Sequence, residues 1–250
     1  MSYTLHPGGA PPVALPLPDR PMPVSAAFVP LALVTAAAFA VGLSRGGPAS
    51  RGQWLAVGLG IAAVYLGVSA ALAASGAIAD ADARPPPAGL LLGGLGATTV
   101  ALGVSRVGDR LLGLPLAVLV GAQSFRVVVE AVLAAAHAAG EVPVEVTWHG
   151  LNLDVVAGAT AAALGVWLWR GSPPLAVVWA WNVLGLALLA VVVAVAAVSA
   201  LGVVETSPRL ALPVSWPGVW LPAWLVQLAL LGHVLVFRAL RQQAADGPRV

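Results

Sequence analysis

The sequence predicts an all-α polytopic membrane protein with seven transmembrane helices, the N-terminus outside and the C-terminus inside (N-out/C-in). Three observations carry that prediction. Of 250 residues, 60% are hydrophobic and 9% charged, and the mean hydropathy is +0.94; a water-soluble domain carries roughly 25% charged residues. The apolar residues gather in seven stretches, each close to the ~20 residues a helix needs to cross the hydrocarbon core. The arginines divide unequally between the two sets of loops that alternate along such a chain.

Residues 1–21 are rich in proline and glycine and carry only Asp19 and Arg20. An extended tail is expected there, and no cleaved signal peptide, because no basic segment leads into an apolar core. The membrane domain is expected over 22–241, with spans at 23–43, 54–78, 88–105, 111–139, 151–169, 174–200 and 219–240, and a cytoplasmic tail at 242–250. The breaks between spans carry the residues that stop apolar helices. They are an Arg/Gly/Pro stretch from Ser44, an Asp/Arg/Pro stretch from Asp80, the charged turn Arg106–Arg110, a polar loop from Gly140, a tight turn after Arg170, and a proline-rich segment from Glu205.

Orientation follows from arginine. One set of loops holds Arg45, Arg51, Arg106, Arg110, Arg170, Arg238, Arg241 and Arg249; the other holds Arg20, Arg84 and Arg209. The positive-inside rule places the first set in the cytoplasm of a plasma (inner) membrane. Trp54, Trp167, Trp169, Trp179 and Trp181 then fall near inner ends, and Trp148, Trp216, Trp220 and Trp224 near outer ends, as interfacial tryptophans do.

Composition also excludes functions. There is no cysteine, hence no disulfide or thiolate metal site, and all twelve basic residues are arginine, which removes any retinal Schiff base on lysine. A net charge of +2 forms no basic patch for nucleic acid. The expected partners are the lipid bilayer and a small-molecule ligand, with no metal and no cofactor.

Small residues suggest where helices touch. Gly60, Gly67 and Ala74 repeat every seven residues in the second span, and Asp154, Gly158, Ala161 and Gly165 share a face of the fifth. Such faces let backbones approach closely.

The fourth span carries the polar residues that apolar surroundings make conspicuous: Gln123, Arg126, Glu130 and His137. At 100° per residue these four fall within a stripe of about 60°. A charge at mid-bilayer costs at least about 2.5 kcal/mol, so the stripe must face the bundle interior. Arg126 and Glu130 stand four residues apart and are expected to pair directly. The segment 141–154 alternates polar and apolar residues, which suggests an extended stretch on the outer face. It ends in Asn152, a candidate helix cap, and Asp154, which suits a first helical turn and is expected to join Arg126 and Glu130 in one charge network. Secondary polar candidates are His149, Asn182, Gln227 and His233. His233 is expected to bind no metal or haem.

Gln123-x-Phe125-Arg126, Glu130, Pro143, Thr147-x-x-Gly150-x-Asn152-x-Asp154 and Gly158 together resemble the central signature of an uncharacterised family of bacterial multi-pass membrane proteins. The likeness covers about residues 120–160. His149 stands where the pattern has Glu, and Leu151 where it has Arg. The resemblance implies a shared fold and carries no activity with it.

Three functions fit these residues. The first is small-molecule transport or ligand binding through a polar pocket between helices four and five. The second is an intramembrane, lipid-directed hydrolase near the outer face, where His137 and His149 could meet Glu141, Glu145 or Asp154; three imidazoles at one depth are missing, and so is a Gly-x-Ser-x-Gly elbow. The third is a structural subunit of a membrane complex, with buried ion pairs fixing helix register.

Overall fold

A computed structural model describes residues 22–47, 50–80, 83–201 and 203–245; the 1–21 tail and the end of the 242–250 tail lie outside the described residues. Every regular element among them is helical. The helices are α1 (Phe28–Arg45), α2 (Arg51–Ala74), α3 (Pro87–Val104), α4 (Arg106–Leu111), α5 (Leu116–Gly121), α6 (Phe125–Ala138), α7 (Asp154–Arg170), α8 (Leu175–Ala200) and α9 (Val226–Ala245). Six segments are long and apolar enough to cross a membrane: Ser25–Arg45, Arg51–Ala74, Pro87–Val104, Leu116–Ala138, Leu175–Ala200 and Leu221–Ala245. Helix α7 has 17 residues.

The span Leu221–Ala245 is 61% buried, against 11% for Pro87–Val104, so α9 is the central post and α3 an outer one. Helix α3 packs on α9, α8 on both α9 and α7, α5 and α6 on α7, and α1 on α2. This arrangement brings α6, α7, α8 and α9 together around one interior.

The α1–α2 contact is made by small residues, though not those the seven-residue repeat selects. A Cβ on Gly58 would stand 2.6 Å from the Ala40 Cα, whereas Gly60 and Gly67 have open space in place of a side chain. The buried face of α2 is Gly58, Ala62, Tyr65, Leu66, Ser69 and Ala73, and Gly60, Gly67 and Ala74 lie on the exposed side. Spacing alone defines several small-residue faces; the neighbouring helix chooses among them.

The fourth span is shorter and more broken than 111–139. Arg106–Leu111 is a separate short helix whose Ser105 Oγ accepts from the Val107 N–H as its N-cap. The chain turns through Gly113 and Pro115 before α5 starts, since proline has no N–H to give and favours a helix start. A 3-10 turn at Ala122–Ser124 then separates α5 from α6. The last span also opens irregularly, with a π-helical turn at Leu221–Leu225 that includes Pro222. It continues as helix to Ala245, beyond the expected boundary at 241.

Each end of the bundle is tied by charge. At the arginine-rich end, Arg110 donates to the carbonyls of Leu43 (3.0 Å) and Gly47 (2.8 Å) and lies over the Trp54 ring, 5.4 Å from its centroid. Arg238 donates to the Gly103 carbonyl and to Asp109, both at 2.6 Å. At the opposite end, Glu141 accepts from the backbone N–H groups of Val24 and Ser25, both at 2.8 Å, and from the Ser25 hydroxyl. A carboxylate from the loop after α6 thus caps the start of the first span.

Candidate functional site

The site starts from a close approach. A Cβ on Gly158 would lie 2.8 Å from the Val127 backbone nitrogen and 3.1 Å from the Arg126 Cβ, so only glycine there lets α7 press against α6. Farther along, a Cβ on Gly165 would lie 2.8 Å from the Gly121 Cα. The face Asp154, Gly158, Ala161 and Gly165 is buried throughout, as the sequence suggests. Gly158 meets Arg126 and Val127 while Gly165 meets Gly121, so the two helices run antiparallel, and Asp154, one turn before Gly158, stands about one turn beyond Arg126, within reach of its long side chain.

The loop that delivers Asp154 is compact rather than extended. Its residues form a 3-10 turn at Val144–Val146, and the Thr147 carbonyl accepts from both Gly150 and Asn152 N–H groups. Burial in 141–154 does not follow the polar–apolar alternation: Val142, Val146, Thr147 and Asn152 are all buried, two of them polar and two of them adjacent. Asn152 is not the N-cap of α7, which is Leu153, but from one residue earlier its Oδ1 accepts from the Asp154 N–H, the first of the helix, at 3.0 Å.

Arg126 is 1% exposed and Asp154 5%. The guanidinium reaches across the bundle. Its Nε donates to Asp154 Oδ2 at 2.6 Å, and its Nη2 donates to Asp154 Oδ1, which makes the ion pair bidentate. Nη2 also donates to the Gly185 carbonyl of α8 at 3.3 Å, and Nη1 to His233 Nε2 of α9 at 2.9 Å. One side chain on α6 thus bonds to three other helices.

These bonds fix the state of His233. Arginine can only donate, so Nε2 is the acceptor. At the other ring nitrogen, Nδ1 lies 2.8 Å from Asn182 Oδ1. The Asn182 amide is itself oriented, because its Nδ2 donates to the His233 carbonyl at 3.1 Å. His233 is therefore a neutral imidazole with its proton on Nδ1. Gly185 makes room for the ring: a Cβ there would lie 2.6 Å from His233 Cε1. Trp181 covers it at 5.7 Å between centroids.

The expected direct pair between Arg126 and Glu130 is not formed. Asp154 presents two oxygens to the guanidinium fork from a facing helix, and the side chain crosses to it instead of turning back along α6. Glu130, 1% exposed, accepts from Asn152 Nδ2 at 2.7 Å through Oε1. Its Oε2 is buried and accepts no hydrogen bond from any described residue. The same holds for Gln123 Oε1, at the other end of the stripe. Gln123 donates to the Ala229 carbonyl at 3.3 Å and occupies the space that a side chain on Gly232 would fill. Arg126, Asp154, Asn152 and Glu130 do form one connected network, joined through Asn152; Gln123, in the 3-10 turn that leads into α6, lies outside it.

His137 does not join the network. It is half-buried at the end of α6, and its Nδ1 donates to the Val142 carbonyl at 3.0 Å, closing the turn. His149 is exposed and accepts from Trp148 Nε1 at 2.8 Å. Neither imidazole contacts an acidic side chain, and among the described residues no group of three or more His, Cys, Asp or Glu comes together as a metal site. Gln227 belongs to a second polar cluster: Thr99 donates to its Oε1 at 3.0 Å and contacts the Tyr65 hydroxyl at 3.1 Å. Beside them lies a cavity of about 20 Å³ lined by Phe39, Tyr65, Thr99, Trp224 and Gln227 among others.

Sequence reasoning named His233 and Asn182 without placing them at Arg126. The signal was present. Arg126 stands 13 residues from the outer end of the expected span 111–139 and His233 14 residues from the outer end of the expected span 219–240, about 20 Å along each helix, so the two fall at one depth. Thr99 and Tyr65 gave no such signal, since a hydroxyl in an apolar helix is commonplace. No protein-family model matches this chain, and no curated protein or solved structure matches it.

Proposed function

We propose that this is a seven-span plasma-membrane protein, N-out/C-in, that moves or binds a small polar solute, with the Arg126–Asp154 pair as the lock of its closed state. The observation that carries the reading is that two of the five buried side-chain atoms without a hydrogen-bond partner among the described residues, Glu130 Oε2 and Gln123 Oε1, stand on either side of Arg126. A network serving only to hold helices together has no use for acceptors without donors, because each costs free energy in a dry interior. Spare acceptors beside a buried cation suit a site that exchanges partners. Intramembrane charges commonly mark solute or proton paths.

The seventh span in this reading is α7, whose 17 residues lie at the short end of what crosses a bilayer. Its basic residue, Arg170, lies at the end expected to be cytoplasmic. The proposal includes kinship of fold with the bacterial multi-pass family that residues 120–160 resemble. The hydrolase reading receives no support from the separate placement of His137 and His149.

The absence of cysteine makes the test clean, since any introduced thiol reports only itself. Topology is read with a membrane-impermeant maleimide on intact cells: Ser75→Cys should label directly, and Ser172→Cys only after permeabilisation. Function is read with Gln123→Cys, a buried position. It should label slowly with the pair intact and several-fold faster when Asp154→Asn is added. A thiol that stays unlabelled in both backgrounds, in folded protein, would make the network a static clamp and overturn the reading.

A further inference from the structure

We propose that Glu130 is a proton-binding site: its Oε2 carries a proton in the closed arrangement, and loss of that proton transfers Arg126 from Asp154 to Glu130. The inference deepens the proposed function by naming a proton as one ligand of the site. It rests on that reading for the opening that follows, and not for the proton itself.

Three features of the site support it. First, Arg126 and Asp154 form a neutral, bidentate pair, so no cation is left for Glu130. Second, Glu130 is 1% exposed and receives one hydrogen bond, from the neutral Asn152; its other oxygen accepts none from the described residues. A carboxylate so placed would be a buried charge without a counterion, whereas a carboxylic acid keeps the Asn152 bond on Oε1 and is neutral. Third, the charged groups that act on it are Arg126 of its own helix and Asp154 of α7. The 144–152 loop contributes the neutral Asn152 and, on the 3-10 turn packed against α6, Glu145, whose Oε2 is likewise buried with no hydrogen bond from the described residues; α9 contributes His233, held neutral by Arg126 and Asn182.

The consequence of deprotonation follows from spacing. Arg126 and Glu130 stand four apart on α6, where an ion pair forms within one helix. With Glu130 neutral, Asp154 is the only anion offered to the guanidinium. Once the Glu130 O–H bond breaks and the proton leaves to water at the loop end of the bundle, two carboxylates compete for one arginine. When Arg126 turns to Glu130 it releases the N-terminal turn of α7, the Gly185 carbonyl and His233 Nε2 together. The change therefore reaches three helices from one proton.

The proton is read by infrared spectroscopy of the purified full-length protein at neutral pH. A carbonyl stretch of a protonated carboxylic acid should appear above the carboxylate bands, shift in deuterium oxide, and vanish in Glu130→Gln while surviving in Glu145→Gln. Carbon-13 glutamate in the unsubstituted protein should shift the same band, which assigns it to glutamate even where the glutamine variant folds poorly. Absence of the band, or its survival in Glu130→Gln, overturns the proton site. The exchange is read separately with Gln123→Cys: the maleimide labelling rate, divided at each pH by that of the exposed Ser75→Cys to remove the common rise in thiolate, should increase several-fold as pH is raised and stay flat when Glu130→Gln is added. An equal rise in both sinks the exchange while leaving the proton standing. Failure of Asp154→Asn to speed labelling at any pH sinks the transport reading instead.

Discussion

Gly58 lets α2 touch α1 at Ala40 with no polar group at the contact; Gly158 lets α7 touch α6 beside an arginine. Both contacts use a missing side chain to bring two backbones together, which is how helices gain packing energy where lipid supplies no hydrophobic drive. They differ in what surrounds the glycine. Around Gly58 the neighbours are Ala40 and Leu43, and the nearest polar cluster, Tyr65–Thr99–Gln227, is made of neutral groups. Around Gly158 stand a full positive and a full negative charge. The comparison teaches that close approach is a shared device, while charge confines a helix to one register: an apolar face can slide by a turn at modest cost, but an arginine that loses its aspartate cannot.

The largest expected effect separates the two regions most sharply. Arg126→Met should destabilise by about 3–5 kcal/mol, because Asp154 is left as an uncompensated buried charge. Adding Asp154→Leu should restore much of that loss, whereas adding Glu130→Gln should restore little. Reversible unfolding in mixed micelles measures all three; equal rescue by either second substitution would show that Glu130 shares the pair after all. Next comes steric crowding. Gly58→Val should cost about 1–3 kcal/mol as an overpacked contact, with no effect on the Arg126 network. Gly158→Val should cost a similar amount and also raise maleimide labelling of Gln123→Cys, since it pushes α7 away from Arg126. If both glycine variants alter labelling alike, the two regions are not independent.

Smaller effects test the neutral cluster. Thr99→Val removes hydrogen bonds to Gln227 and Tyr65 and should cost about 1 kcal/mol, since each interhelical hydrogen bond in a membrane is usually worth about 0.6 kcal/mol. A loss as large as that of Arg126→Met would mean that the α2–α3–α9 contact is no weaker a register device than the ion pair. The smallest effect is at Gly60, where no atom lies within 4 Å of a built Cβ. Gly60→Val should stay within about 0.5 kcal/mol of the unsubstituted protein; a larger loss would place a partner surface on that face.

Much of this contrast was readable before any coordinates. Charges inside apolar runs stand out against their background, so the stripe Gln123, Arg126 and Glu130 and the small-residue face of α7 could be named from spacing. The partner of Arg126 could not. Glu130 at four residues and Asp154 on the next helix were both within reach, and the choice turned on which way a long side chain leaves its helix. The Gly60 repeat misled for a related reason: periodicity finds faces, and α2 has more than one face of small residues. The expected fourth span starts too early because Leu111–Leu114 is apolar, and hydropathy does not register that Pro115 restarts the helix.

The sequence by itself determined a membrane-bound helical bundle, the approximate limits of its spans, the unequal distribution of arginine between its ends, and the presence of a buried charge on the fourth span. Those properties depend on composition and on helical periodicity, which are local. The packing of the helices selects Asp154 as the partner of Arg126, sets His233 and Asn182 around it, and leaves Glu130 and Gln123 each with an acceptor that no described residue donates to. Those depend on which helix lies opposite which, at what height and how near. The glycines at 158 and 185 set that nearness through the atoms they lack, and a sequence read one helix at a time holds no record of the space left between two.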